Sequence, residues 1–287
     1  MLTDTNNLIT LAADPSGATL GLELPPGRLV DETYQGQWPY PLLWLADTRA
    51  EPGQWSAQGP ALRAADLVPV LVDVGGPAGG PEKWDLLCGN LSYPEDLGAE
   101  EMLDRLWGEV REKRARQEAE APGSGGTAAP FDAPWPGLAP AVASGDDPDA
   151  LAARTADALT GAGSWLRDPR LALVSAECNA DIPAACGWSG SLSHEDDPGA
   201  LSAVLRSWGE RFGTRVVALG ADHLVLSVAA PPTTAAHAEA VAAEHAAFCP
   251  DDLVRSGHTT LRDHAVHEIL GRRTWVHRWD SWAGHGD

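Results

Sequence analysis

The stretch from Leu201 to Asp251 constrains the fold most, because several predicted elements follow one another in it without long gaps. Apolar residues at helical spacing between Leu201 and Trp208 predict an amphipathic helix, and Gly213 suits a left-handed helix end. Two short apolar runs then predict a β-hairpin. An alanine-rich helix follows and ends before Pro250, because proline lacks the amide hydrogen that a longer helix needs.

Two further strands are predicted on either side of this unit. Residues 171–175 precede it and residues 275–279 follow it, and both are short runs of the residue types that favour strands. The order strand, helix, strand, strand, helix, strand predicts a ferredoxin-like antiparallel sheet with its helices on one face. The predicted fold class is α+β.

Composition predicts two domains of the α/β type. Residues 119–150 are rich in alanine, glycine and proline, as a flexible linker is. Residues 1–118 are expected to form an N-terminal α/β domain, and residues 151–287 a C-terminal α+β domain. The elements predicted before the linker are strands at 20–24, 41–46 and 68–74 and helices at 61–67 and 99–118.

The charge balance limits the partners that the surface attracts. The chain has 41 acidic residues against 20 Lys and Arg, a formal net charge of −21. Nucleic acids and anionic membrane surfaces bind basic side chains, so the sequence predicts neither as a partner. A protein partner or a small ligand is the expectation that remains.

The sequence also predicts a cytoplasmic protein. No segment has the length and hydropathy of a membrane span, and no basic region followed by an apolar run opens the chain. The four cysteines are too few for a disulfide framework in a chain of 287 residues.

Four residues near the carboxyl end are the candidates for catalysis. Cys249 and Asp251 follow the second predicted helix, whereas His277 and Asp280 lie in or after the last predicted strand. A hydrolase-like site would need these groups within hydrogen-bond reach, so the helix end would have to meet the strand. A buried structural role is the alternative for Cys249, because a helix C-terminus and neighbouring acids disfavour a thiolate.

A partial metal-binding pattern overlaps these candidates. His245 and Cys249 are four residues apart on one predicted helical face, a spacing that suits two metal ligands. Neither a CxxC nor an HExxH motif is present, so the sequence shows no complete metal site and predicts no cofactor. A metal-binding module remains an alternative function.

Tryptophan is unusually frequent, with twelve residues against three Phe and three Tyr. Trp275 and Trp279 share one face of the last predicted strand with His277. Together with Trp188 they are candidates for an aromatic binding surface if that face is open. Packing in the core is the alternative, since buried aromatic rings dominate core energetics.

Several short motifs of the second predicted domain occur in combination. They are Gly187-Trp188 with Gly190, Leu205 to Trp208, Arg211 to Gly213, Leu226 to Val228 with Pro231-Pro232, Ala247 to Asp251, Thr260-Leu261 and Trp275 to Asp280. In these motifs residues 171–280 resemble a bacterial family, domain of unknown function 4253. The resemblance supports the boundary of the domain and implies no activity. It implies no role for His245 or His277, because the family's pattern differs at these positions.

The function predicted from these observations is binding or regulation by an interaction or immunity-type protein. No complete catalytic set is visible, and an acidic surface with candidate aromatic contacts suits a protein partner. An enzyme with a site near Cys249, Asp251, His277 and Asp280, and a metal-binding module, are the alternatives.

Overall fold

A computed structural model of the chain describes residues 7–33, 36–57, 59–84, 92–120, 131–143, 146–188, 190–191, 193–258 and 260–280. Its strands, in chain order, are β1 (Gly27–Val30), β2 (Glu32–Thr33), β3 (Gly36–Gln37), β4 (Leu43–Ala46), β5 (Val68–Asp73), β6 (Pro169–Val174), β7 (Thr214–Leu219), β8 (His223–Val228) and β9 (Thr274–Arg278). Its α-helices are α1 (Asn7–Ala13), α2 (Gly59–Ala64), α3 (Ala99–Glu120), α4 (Pro148–Thr160), α5 (Ile182–Cys186), α6 (Pro198–Phe212), α7 (Ala235–Phe248), α8 (Asp251–Arg255) and α9 (Leu261–His264). A π-helical turn, Ala265–Ile269, continues α9.

A seven-stranded sheet forms the centre of the fold, with the strand order β1-β4-β6-β5-β7-β8-β9. Its strands pair antiparallel, except that β5 and β7 are parallel. Strands β2 and β3 form a separate two-stranded ribbon. The predicted class, α+β, is therefore confirmed, and the large sheet is mixed.

Helices cover both faces of this sheet, because its central strands bury side chains on both sides. In β5, Val70 and Val72 join one core and Leu71 joins the other. The first core contains residues of α3, α5, α6 and α7, and the second contains residues of α1, α2 and α4. The prediction of helices on one face only is thus corrected.

The predicted division into residues 1–118 and 151–287 does not divide the sheet. Strand β5 belongs to the first predicted domain, yet it lies between β6 and β7 of the second and pairs with both. The ferredoxin-like layer, in which β6 to β9 would form a sheet by themselves, is corrected accordingly. A short apolar strand that is buried on both faces suits such a central position.

The described part of the predicted linker 119–150 is packed rather than free. The indole of Trp107 in α3 donates to the carbonyl of Ala133 at 3.0 Å. The amide of Ala139 donates to the carboxylate of Glu244 in α7 at 2.7 Å. Residues 131–143 therefore form a strap across the helices of the first core, and the part between α3 and this strap lies outside the described residues.

The ends of the two predicted helices around the hairpin agree with the sequence. Asp197 accepts the amide hydrogen of Gly199 at the start of α6, and Gly213 closes that helix with a φ of 61°. Thr234 accepts the amide hydrogen of His237 at the start of α7. Side-chain caps and left-handed glycines are local signals, so they are readable from the sequence.

The strand predicted at 20–24 is absent. A 3-10 turn, Ala18–Leu20, stands there between Gly17 and Gly21, whose φ angles of 74° and 70° are left-handed. Such angles interrupt an extended strand. The first strand is instead β1, which the sequence analysis did not predict.

Candidate functional site

The end of α7 meets the last strand of the sheet at a cluster of three side chains that carry a thiol, a carboxylate and an imidazole. Cys249 follows α7, Asp252 lies in the first turn of α8, and His277 lies in β9. One potential ligand atom from each of them lies within 4.8 Å of the others. These three residues are termed the Cys-Asp-His cluster below.

Asp252 orders this cluster through both of its carboxylate oxygens. One oxygen is 2.8 Å from Nδ1 of His277, and the other accepts the amide hydrogen of Arg278 at 3.0 Å. The thiol of Cys249 donates to the carbonyl of Arg278 at 3.3 Å. Because a carboxylate only accepts hydrogen bonds, Nδ1 of His277 carries a hydrogen and donates it to Asp252. Cys249 and Asp252 also satisfy the backbone of the edge strand β9.

The cluster is sealed from solvent. Cys249 and His277 are both 0% exposed, and Asp252 is 9% exposed. The indole of Trp208 stacks on the His277 ring with centroids 5.4 Å apart, and the Phe248 ring lies 5.1 Å from it. A substrate therefore has no direct path to the thiol or to this imidazole in the described conformation.

The thiol of Cys249 is held in its protonated form. Burial raises its pKa well above the ordinary value, and the negative charges of Asp252 and Asp251 raise it further. A reactive cysteine needs the opposite environment, one that favours the thiolate. The structure thus agrees with the buried, structural reading of this cysteine.

A row of imidazole rings leads from the cluster towards the surface. The ring of His245 lies 4.7 Å from that of His277, and the ring of His264 lies 5.9 Å from that of His245. His258 follows at 6.0 Å from His264, and the exposed His267 stacks on His258 at 5.0 Å. Five histidines that are distant in sequence therefore form one continuous row in space.

Burial keeps the rings of His245 and His264 uncharged. It lowers the pKa of His245 well below the ordinary value, and the neighbouring His277 and His264 lower it further. It lowers the pKa of His264 to about 4, against a partly opposing effect of Asp252. Nε2 of His245, Nε2 of His277 and both ring nitrogens of His264 have no hydrogen-bond partner among the described residues.

The four predicted catalytic residues lie together at this junction, but they do not share one set of contacts. Asp251 accepts the amide hydrogen of Asp280 at 2.8 Å, and the carboxylate of Asp280 pairs with Arg255. The carboxylate on His277 belongs to Asp252, which the sequence analysis did not single out. The available signal was its position three residues after Cys249, at the start of a new helix.

The two predicted metal ligands, His245 and Cys249, do not belong to the same group of potential ligands. Cys249 has Asp252 and His277 as its neighbours in the cluster, whereas His245 lies beside it with its ring against His277. The ring of His245 also contacts Trp275, with centroids 4.6 Å apart.

The predicted aromatic surface is corrected, because its three tryptophans are buried. Trp188, Trp275 and Trp279 are 1%, 2% and 0% exposed. Trp188 and Trp279 contact each other with ring centroids 5.5 Å apart, and the indole of Trp188 donates to the carbonyl of Gly220. The helices on this face cover the side chains of β9, so the alternative of core packing describes these residues.

Glu244 is a further buried residue that the sequence analysis missed. Its carboxylate is 0% exposed and is held by the guanidinium of Arg211 through two contacts of 2.7 Å. The indole of Trp208 and the amide of Ala139 complete its hydrogen bonds. With all donors supplied, Glu244 anchors the strap to α6 and α7 next to the histidine row.

Comparison with known proteins covers only part of this fold. Residues 170–280 match a family described as Domain of unknown function (DUF4253), which confirms the predicted resemblance. The matched segment contains β7 to β9, all of β6 except Pro169, and the whole Cys-Asp-His cluster, but it excludes β5. No curated protein and no solved structure matches the chain. None of the helices in the described ranges is long and apolar enough to cross a membrane.

Proposed function

We propose that this is a cytoplasmic binding or regulatory protein of the interaction or immunity type, which acts through its surface. The observation that carries the proposal is the complete burial of Cys249 and His277. A hydrolase must bring its nucleophile and base into contact with a substrate. Here the thiol is protonated, is buried and donates to a backbone carbonyl, and aromatic rings pack against the imidazole of His277.

The charge of the surface supports a basic protein as the partner. The formal net charge is −21, so acidic side chains remain in excess after every basic one is paired. Many arginines of the described segments already contact carboxylates of the chain itself; they are Arg28, Arg105, Arg170, Arg206, Arg211, Arg215, Arg255 and Arg273. Complementary charge increases association rates and selects partners.

The exposed side of α3 is a place where the contribution of acidic side chains to partner binding can be tested. Glu100, Glu101 and Asp104 are exposed, whereas Leu103 and Leu106 of the same helix are buried in the first core. Neutral substitutions on the exposed side therefore alter charge without altering the core.

The test is purification of the full chain from its native host under gentle conditions, followed by mass spectrometry of intact complexes. We expect a stoichiometric complex with a basic protein, whose dissociation constant increases with ionic strength because salt screens surface charges. The variant E100Q/E101Q/D104N is expected to weaken that complex roughly tenfold, as a loss of rim charges does. The matched control R111Q/K113Q on the same helix is expected to bind at least as tightly as the wild type.

A chain that purifies without a partner and turns over a substrate would contradict the proposal. The proposal would also be contradicted by a complex whose affinity is changed neither by the substitutions E100Q/E101Q/D104N nor by high salt.

A further inference from the structure

We propose that the Cys-Asp-His cluster is a closed binding site for a divalent transition metal ion of the Zn²⁺ class. The site uses the sulfur of Cys249, one carboxylate oxygen of Asp252 and one imidazole nitrogen of His277. It goes beyond the surface function proposed above, because it concerns the interior of the fold.

The spacing of the three side chains fits a shared ion after a small adjustment. Ligand atoms bound to one tetrahedral Zn²⁺ are about 3.3 to 3.7 Å apart, given bonds of about 2.0 to 2.3 Å. The oxygen of Asp252 and Nδ1 of His277 are 2.8 Å apart, and all three atoms lie within 4.8 Å. Movements of about 1 Å or less per atom would therefore place them around one ion.

The chemistry of the donors selects the class of metal. A thiolate and an imidazole favour Zn²⁺ and its chemical relatives, whereas Mg²⁺ and Ca²⁺ prefer sites made of oxygen atoms alone. The burial of the cluster matches a structural site, which is closed to solvent, better than a catalytic one, which keeps an open position. The ion's two positive charges would also balance the thiolate and the carboxylate in the interior.

Binding changes the hydrogen bonds of the cluster in a balanced way. The thiol of Cys249 releases its proton to solvent, since the thiolate is the ligand. The hydrogen on Nδ1 of His277 moves to Nε2, and the imidazole remains neutral. The carbonyl of Arg278 loses its thiol donor, and this oxygen, which is 3.3 Å from the sulfur, is assigned to the fourth coordination position.

The unpaired nitrogens beside the cluster are the second observation that supports a metal. Buried polar atoms in proteins are nearly always hydrogen-bonded. Within the part of the chain that the structure describes, Nε2 of His277 and Nε2 of His245 both lack a hydrogen-bond partner, and their rings are 4.7 Å apart. A metal-bound imidazole donates its second N–H to a neighbouring acceptor, and His245 is available for that role. His245 is thus assigned as a positioning residue.

The experiment uses the full chain, freed of metal with a chelator and titrated with Co²⁺ as a spectroscopic substitute for Zn²⁺. We expect one Co²⁺ per chain, a sulfur-to-cobalt charge-transfer absorption and the visible bands of a tetrahedral site. Adding Zn²⁺ is expected to abolish these signals by displacing the Co²⁺.

Matched cysteine variants identify the ligand. Cys249→Ser is expected to remove the charge-transfer absorption, whereas Cys186→Ser and Cys178→Ser, at the other cysteines of the described residues, keep it. His277→Gln and Asp252→Asn are expected to bind Co²⁺ at least tenfold more weakly. His245→Gln is expected to keep the absorption while the affinity falls about 10- to 100-fold, as for other residues that orient a metal ligand.

Circular dichroism of each metal-free variant checks that it folds. If a variant does not fold, the Co²⁺ titration of the wild type still tests the proposal. A wild type without a saturable absorption at one Co²⁺ per chain overturns it. A charge-transfer absorption that persists in folded Cys249→Ser also overturns it.

Discussion

Buried polar side chains in and around the first core differ in how many of their hydrogen-bonding atoms have a partner. Glu244 receives hydrogen bonds from Arg211, Trp208 and Ala139, and this network stabilises a charge in the interior. Both ring nitrogens of the buried His264 lack a partner among the described residues. An unsatisfied buried polar group destabilises a fold by about 1 to 3 kcal/mol, so His264 is a point where solution conditions act on stability.

His264 predicts a loss of stability in acid. In the unfolded chain its imidazole takes up a proton near pH 6.5, whereas in the folded chain burial lowers the pKa to about 4. The stability that the folded chain gains from a neutral His264 is therefore fully present above pH 6.5. It is lost as the pH falls from there to about 4. The loss is at most about 1.4 kcal/mol per pH unit. Urea unfolding of the wild type and His264→Gln at several pH values measures it.

We expect the free energy of unfolding to decrease less steeply with acidification in His264→Gln. The exposed His267 provides the control, because His267→Gln should follow the wild type. Equal slopes for the wild type and His264→Gln would contradict the assignment.

The site residues show how far single-residue reasoning extends. The enzyme alternative required Cys249 and His277 to meet, which the sequence does not show, and it named Asp251, whereas Asp252 contacts the imidazole. Successive residues of a helix point about 100° apart, so neighbouring aspartates face different surroundings. The sequence does not define that rotation, because it depends on how α8 packs against β9.

Secondary-structure elements were predictable where their signals are local. The start of α6 at Asp197, its end at Gly213 and the hairpin of β7 with β8 follow from capping, turn and strand patterns. The position of β5 between β6 and β7 was not predictable, because pairing across distant parts of a chain leaves no local pattern. The same limit produced the incorrect one-sided arrangement of helices.

Replacing Gly213, at the end of α6, is expected to lower the stability of the protein measurably. Its φ is 61°, and a Cβ there would lie 2.9 Å from Cβ of Ala229 and 3.1 Å from Pro148. Gly213→Ala is therefore expected to destabilise the protein through backbone strain of about 1 to 2 kcal/mol and through this steric clash. Thermal or urea unfolding gives the difference from the wild type.

Gly257 is the matched control for that substitution. Its φ of 69° is similar, but a Cβ there would meet no atom of the described residues within 4 Å. Gly257→Ala should show the backbone strain alone, so a penalty at Gly213 no larger than at Gly257 would exclude the clash.

At the scale of the whole molecule, the large sheet joins the part of the chain before the strap to the part after it. Strands that precede the strap and strands that follow it alternate in the order β4-β6-β5-β7, and the strap itself is bonded to α3 and α7. The matched family segment, residues 170–280, therefore contains the cluster but only part of the sheet that supports it.

That segment is expected not to fold when expressed by itself. Without β5, the facing edges of β6 and β7 lose their hydrogen-bond partner, and Ala172 and Val174 lose the packing of β5 residues. Exposed strand edges promote aggregation. Circular dichroism and urea unfolding of residues 170–280, with the full chain as the control, test this expectation. A cooperative unfolding transition in the isolated segment would contradict it.

The insertion of β5 also has a consequence for synthesis on the ribosome. A chain grows from its amino terminus, so Val68–Asp73 emerges long before the strands that flank it, Pro169–Val174 and Thr214–Leu219. This apolar strand has to wait unpaired while α3, the strap and α4 are made. Contacts between such distant segments slow folding. The nascent chain therefore carries this apolar strand without its partners until Pro169–Val174 has been made, and chaperones that bind apolar segments would act on it at that stage.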